Sequence, residues 1–146
     1  MQTYITREQD YALRIVTYLA ELKKEQHISI KDLSKELFIS RSFAARIIHK
    51  LKHGGIIKTI EGNQGGVLLR KGADDISLLD VLNIIGFKTI FNACNSRDYN
   101  CELSKRCRFH NFFVEEENSL KNKLHKKKIS EFVFGTKINV NQKEEN

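Results

Sequence analysis

Between Ser29 and Arg70 the chain is punctuated so closely that few architectures can accommodate it. Ser29 followed by Asp32 is a helix-start signal, and Ile30, Leu33 and Leu37 space a short helix running to about Phe38. After Ile39, Ser40 can cap another helix from Arg41 to about His53, in which Phe43, Ala44, Ile47, Ile48 and Leu51 form one buried stripe. Gly54 and Gly55 end it, one of them supplying the left-handed residue that closes a helix. Residues 56–60 then read as a strand, 62–66 as a turn that needs positive φ, and 67–70 as the return strand. Two short helices a few residues apart predict a helix-turn-helix, and a hairpin directly behind the second helix predicts a wing.

The flanks supply what such a small unit needs for a core. Residues 6–24 predict an amphipathic helix, opened by the Thr6/Gln9 capping pair and carrying Ala12, Ile15, Val16, Leu19, Ala20 and Leu22 at helical spacing. Ser77 with Asp80 opens a further helix, apolar nearly all round through Leu78, Leu79, Val81, Leu82, Ile84 and Ile85, which predicts deep burial before Gly86 stops it. A long helix is expected from about Cys107 to Lys127, with Phe109, Phe112, Phe113, Leu120 and Leu124 as its apolar positions, followed by a short helix or strand near 129–135. A long amphipathic helix behind a small winged domain predicts pairing with a second copy of the chain. The fold class expected is therefore mainly α with a small β-hairpin. Residues 1–86 form a winged helix-turn-helix domain, 87–134 a cysteine loop and dimerisation helix, and 135–146 a flexible tail.

Charge is distributed unevenly. The formal net charge of +7 suggests a polyanionic partner. Residues 1–72 hold 13 Lys/Arg against 7 Asp/Glu, whereas 73–146 are nearly balanced at 12 against 11. The excess narrows to 37–72, where Arg41, Arg46, Lys50, Lys52, Lys58, Arg70 and Lys71 face a single acid, Glu61. On the helix at 41–53, Ser40, Arg41, Ser42 and Arg46 are placed to reach base edges or phosphates of double-stranded DNA, because recognition helices enter the major groove by that end. Lys50 and Lys52 suit backbone contacts, and Lys58, Asn63 and Gln64 of the wing lie on the same side. A solvated charged face would also carry such residues, but the wing extends the positive side beyond one helix. His27, His49, His53 and His125 have no ligand company and are expected at the surface.

All three cysteines fall in one stretch, CNSRDYNCELSKRCRFH, spaced Cys94-x6-Cys101-x5-Cys107, with His110 one turn further on. An odd cysteine count in a chain without a basic-then-apolar leader argues against a disulfide framework and for a cytoplasmic protein. No CxxC pair is present, which disfavours structural zinc. Three soft thiolates on a loop suit an iron–sulfur cluster, with His110 or a carboxylate as fourth ligand, or simply three thiols. No apolar run approaches the roughly 18 residues of a membrane span. No nucleophile–base pairing, phosphate loop or carboxylate cluster points to an enzyme. A small iron–sulfur electron-transfer or carrier protein would keep the cysteines but would need neither wing nor basic stripe.

Taken together, DYALRIVTYLA, SIKDLSKELFISRSFAARIIHKL, the wing GNQGGVLL and the cysteine loop before a long helix resemble the Rrf family of bacterial transcription regulators, the IscR- and NsrR-like iron–sulfur repressors, over residues 3–133. The resemblance implies a homodimeric, DNA-binding winged helix-turn-helix with a cluster held between the cysteine loop and the other subunit. It also implies two alternatives for the fourth ligand. IscR-like members use a histidine shortly after the third cysteine, matching His110, with a 2Fe–2S cluster; NsrR-like members use an acidic residue of the partner's first helix, matching Asp10, with a 4Fe–4S cluster. The regulator expected is one whose operator affinity is set by a cluster sensing nitric oxide, iron or redox status; a cluster-free, thiol-based sensor is the alternative.

Overall fold

The structure, a computed structural model, describes residues 4–96 and 98–133. The short element expected near 129–135 is a 3₁₀ turn at Ile129–Phe132; residues 134 and 135 of that stretch and the tail at 135–146 lie outside the described residues. Among the described residues five α-helices and a two-stranded hairpin follow the order α1 (Arg7–Ala20), α2 (Ile30–Glu36), α3 (Arg41–His53), β1 (Ile57–Ile60), β2 (Gly66–Leu69), α4 (Leu78–Ile84) and α5 (Arg108–Lys126). The expected fold class, a mainly helical winged helix-turn-helix with a long C-terminal helix, is the observed one.

Local chemistry explains where each element begins. Thr6 accepts from the Gln9 N–H at 3.2 Å while the Gln9 side chain accepts from the Thr6 N–H at 3.0 Å, which satisfies two N-terminal donors of α1. Ser29 and Ser40 likewise accept from the Asp32 and Phe43 N–H groups. Ends were harder to foresee. The first helix stops at Ala20 rather than Lys24, because the chain turns over Lys23–Gln26 with Glu25 at φ 65°. The second stops at Glu36 because Phe38 adopts φ 55°, and the Ile39 and Phe38 N–H groups close on the carbonyls of Ser34 and Lys35. The α3 end matches the sequence: Gly55, at φ 78°, supplies the left-handed residue. Gly54 serves a different need, since any Cβ there would collide with the Ile84 side chain of α4.

In the wing, β1 and β2 pair antiparallel in the register Ile57↔Leu69 to Ile60↔Gly66; β1 starts one residue later than its expected 56–60, and β2 lies one residue earlier than its expected 67–70. Ile28, ahead of α2, adds a bridge to Val67, so the hairpin's return strand is tied to the helix-turn-helix. Ala12, Ile15 and Val16 of α1, Leu33 of α2, Ala44, Ile47 and Leu51 of α3, Ile57 and Val67 of the wing and Val81 of α4 are buried in one cluster. Val81 and Leu82 of α4 are fully buried, but Leu78, Leu79 and Ile84 are only half-buried, so this helix is covered on one side rather than all round.

The end of α5 returns to that same core. The Leu78 N–H donates to the Lys127 carbonyl at 2.9 Å and the Ile129 N–H to the Ile76 carbonyl at 2.9 Å, with Ser77 and Lys128 forming an antiparallel bridge. Ile129 is fully buried in the core cluster. Along α5 itself Glu117 is the one buried residue, and Phe109 and Phe112 are 77% and 54% exposed. Among the described residues no helix is long and apolar enough to cross a membrane.

Candidate nucleic-acid interface and cysteine loop

Helix α3 and the wing present the polar residues singled out in the sequence. Arg41, Ser42, Arg46, Lys52, Lys58, Asn63 and Gln64 are all exposed. Ser40 is exposed too, but its hydroxyl is engaged as the α3 cap, bonded to the Phe43 N–H at 3.2 Å and to the Ser42 hydroxyl at 3.3 Å. Two of the cations are not free. Glu8, on the first turn of α1, faces Lys50 Nζ at 2.8 Å and Arg46 Nε at 3.5 Å with the same oxygen, Oε1. Arg46 also lies over the Phe43 ring at 5.3 Å, and Arg7 of α1 lies 5.6 Å from the rings of both Phe43 and Tyr11. His27, expected merely at the surface, is half-buried, and its Nε2 is 2.7 Å from the Gln64 carbonyl, where the ring nitrogen must be the donor. It joins the α1–α2 connection to the wing tip.

Cys94, Cys101 and Cys107 are free thiols, each half-buried. They occupy three separate backbone settings: Cys94 in a 3₁₀ turn at Ala93–Asn95, Cys101 at the start of the turn leading to Ser104–Arg106, and Cys107 as the residue preceding α5. His110 follows on the first turn of α5, and its Nδ1 is buried without a hydrogen-bond partner among the described residues. Asp10 instead lies on α1, bonded to Arg14 at 2.9 Å in an exposed pair, which raises the Arg14 pKa. Among the described residues no three His, Cys, Asp or Glu side chains stand together as a metal site. The donors therefore fit an iron–sulfur cluster in kind, soft thiols plus an imidazole nitrogen wanting a partner, while their present spacing does not gather them.

The loop is held from beneath by a residue the sequence reading passed over. Glu117 is 7% exposed, and its Oε1 accepts from the Phe91 N–H at 2.7 Å and from Asn95 Nδ2 at 3.0 Å. Among the described residues no cation pairs with it. An aromatic run, Phe87–Tyr4–Phe91–Phe113, walls the same region with centroids 5.6 to 6.3 Å apart. Partial burial, and then the Glu117 charge, raise the Tyr4 phenol pKa. The signal was present: Glu117 interrupts the apolar stripe of Phe113, Leu120 and Leu124 on α5.

The comparisons with known proteins agree with this architecture. A family model described as Rrf2, an iron-dependent transcriptional regulator, matches residues 5–134. A helix-turn-helix-type transcriptional regulator of Aquifex aeolicus is 27% identical over 130 residues, spanning 88% of this chain and 83% of that protein. Among solved structures, CymR, the global cysteine regulator of B. subtilis, aligns with a TM-score of 0.73 at 21% identity over 94% of this chain and 100% of its own. IscR of T. potens aligns with a TM-score of 0.67 at 17% identity over 88% of this chain and 84% of its own. At those identities the structural likeness speaks for the fold, whereas the family match spans nearly the whole chain. This protein belongs to the Rrf2 family of transcriptional regulators, and is a DNA-binding regulator rather than an enzyme.

Proposed function

We propose that the protein is a homodimeric regulator that grips an operator through α3 and the wing, with an iron–sulfur cluster held by the cysteine loop as its sensor of nitric oxide, iron or redox status. The observation that carries the sensor reading is His110: a buried ring nitrogen, unpartnered among the described residues, one turn beyond Cys107. Cys94, Cys101 and Cys107 would hold the cluster, with His110 of the same chain or Asp10 of a second copy as fourth ligand. When bound, such a cluster supplies a link that oxidants, nitric oxide or iron shortage can break. The chain's own part is mechanical. Glu117 fixes the start of the loop to α5 through Phe91 and Asn95, and residues 127–129 fix the end of α5 to the strand-like segment ahead of α4. A loop drawn in or released thus changes the seat of α5, and with it the separation of two recognition helices, which must lie roughly 34 Å apart to fill successive half-sites. An effector moves this equilibrium only by favouring one of the two seats.

Anaerobically purified protein is expected to contain iron and sulfide and to absorb in the visible, and Cys101→Ala is expected to abolish both. A colourless, iron-free anaerobic preparation would sink the cluster. The second reading, a thiol-based sensor, is favoured by the three free, half-buried cysteines and their ungathered spacing. Under it, peroxide treatment of iron-free protein alters operator affinity, and the change reverses with a reducing thiol.

A further inference from the structure

We propose that Glu8 is an internal stand-in for a DNA phosphate, and so an affinity-determining residue for the interface on α3. The inference rests on the reading that α3 meets DNA.

One carboxylate oxygen faces two cations of α3: Lys50 Nζ at 2.8 Å and Arg46 Nε at 3.5 Å. A phosphate oxygen offers the same chemistry, an anionic acceptor for ammonium and guanidinium donors. The three side chains are graded in exposure, Glu8 at 23%, Lys50 at 41% and Arg46 at 62%, so the anion lies deepest and both cations remain reachable from solvent. Glu8 belongs to α1, whose Ala12, Ile15 and Val16 are fully buried, which makes it a fixed group rather than a mobile one. Arg7 of the same turn reaches over Phe43, so α1 touches α3 through an aromatic ring as well as through charge.

A phosphate approaching Arg46 or Lys50 meets this carboxylate. Either it shares the cations, and the two anions repel, or it displaces Glu8, and the internal pairs are lost. Both routes lower affinity for DNA of any sequence, since phosphates carry no sequence information. Both also hide cations that would otherwise release counterions, so Glu8 flattens the dependence of binding on salt.

The probe is a fluorescein-labelled duplex of about 30 base pairs and arbitrary sequence, titrated by anisotropy at several salt concentrations. With Glu8→Gln, affinity is expected to rise roughly three- to thirtyfold, as expected for removing one like charge near a phosphate. The plot of log affinity against log salt should steepen by about one. Glu8→Ala should change both in the same direction, and the gain should vanish when Arg46→Ala and Lys50→Ala are also present. Should Arg46→Ala weaken binding while Glu8→Gln leaves it unchanged or weaker, the phosphate-mimic role is overturned and the α3 interface stands. If Arg46→Ala and Lys50→Ala both leave binding untouched, the α3 reading fails, and this inference with it.

Discussion

Phe38 shows how a single residue can be set against its backbone. It occupies the left-handed position that closes α2, at φ 55°, and its ring is 92% exposed, so nothing it packs against offsets the conformation. A left-handed residue with a side chain costs about 1–2 kcal/mol, which glycine avoids. Glycine also gives the unfolded chain more freedom, and that takes back part of the gain. Phe38→Gly is therefore expected to stabilise the fold by roughly 0.5–1 kcal/mol, raising Tm by about 2–4 °C. A thermal melt followed by circular dichroism checks this, and an unchanged or lowered midpoint would show that the ring does more than its exposure suggests. Residue-scale features divide by how local they are. The caps at Thr6, Ser29, Ser40 and Ser77 were legible, because their partners lie three residues away. The Glu8–Lys50 pair was not, because 42 residues separate its members and only the packing of α1 on α3 brings them together.

At the scale of elements, starts were read better than stops for a physical reason. Starts are signalled by side chains that bond to nearby N–H groups, whereas the stops of α1 and α2 are made by Glu25 and Phe38 in conformations their residue types do not advertise. Helix α4 illustrates how much a start can matter. Ser77 is fully buried, its hydroxyl accepts from the Asp80 N–H at 3.0 Å, and the Asp80 carboxylate accepts from the Ser77 N–H at 2.9 Å. The same residue bridges to Lys128, so the cap also positions the strap that returns from α5. Burial alone would raise the Asp80 pKa, but hydrogen bonding of the carboxylate by the Ser77 backbone N–H and side chain, helped by the charges of Lys128 and His125, brings it below its ordinary 3.8. A carboxyl lowered in the folded state stabilises above its unfolded value and loses that contribution as acid protonates it. Asp80→Ala should thus cost about 1 kcal/mol at neutral pH, in the range of capping losses. The difference from the parent should shrink as pH falls below about 4. Urea denaturation at pH 7 and pH 3.5 tests it; an equal loss at both would mean that packing, not the charged cap, is responsible.

For the whole molecule, the winged fold was legible because its signals are dense and ordered, while the way α5 is joined to it was not. Ile129 looked like part of a tail element, yet it closes the core, and residues 127–129 lie across 76–78. The consequence is that α5 cannot shift without pulling on α4. Part of what remains open along α5 is apolar: Phe109 and Phe112 are largely exposed, with Leu120 and Leu124 half-buried on the same helix. A 19-residue helix is about 28 Å long, enough to seat a partner helix along its length. Phenylalanine rings bury up to roughly 150–200 Å² each, so two per chain supply much of the core of an interface that needs about 800 Å² from each partner. A second copy would satisfy this with the same patch on both sides, which would close the assembly at two. The parent protein is accordingly expected to elute with a light-scattering mass of about twice 16.9 kDa. Phe109→Asp with Phe112→Asp should give the single-chain mass with an unchanged helical spectrum, because neither ring belongs to the chain's own core. Such a variant would still bind arbitrary duplex weakly, one α3 at a time, but it would lose the tighter grip that two linked half-sites provide. A parent protein that elutes as a monomer at micromolar concentration would remove the dimer, and with it the separation of recognition helices on which the proposed switching depends.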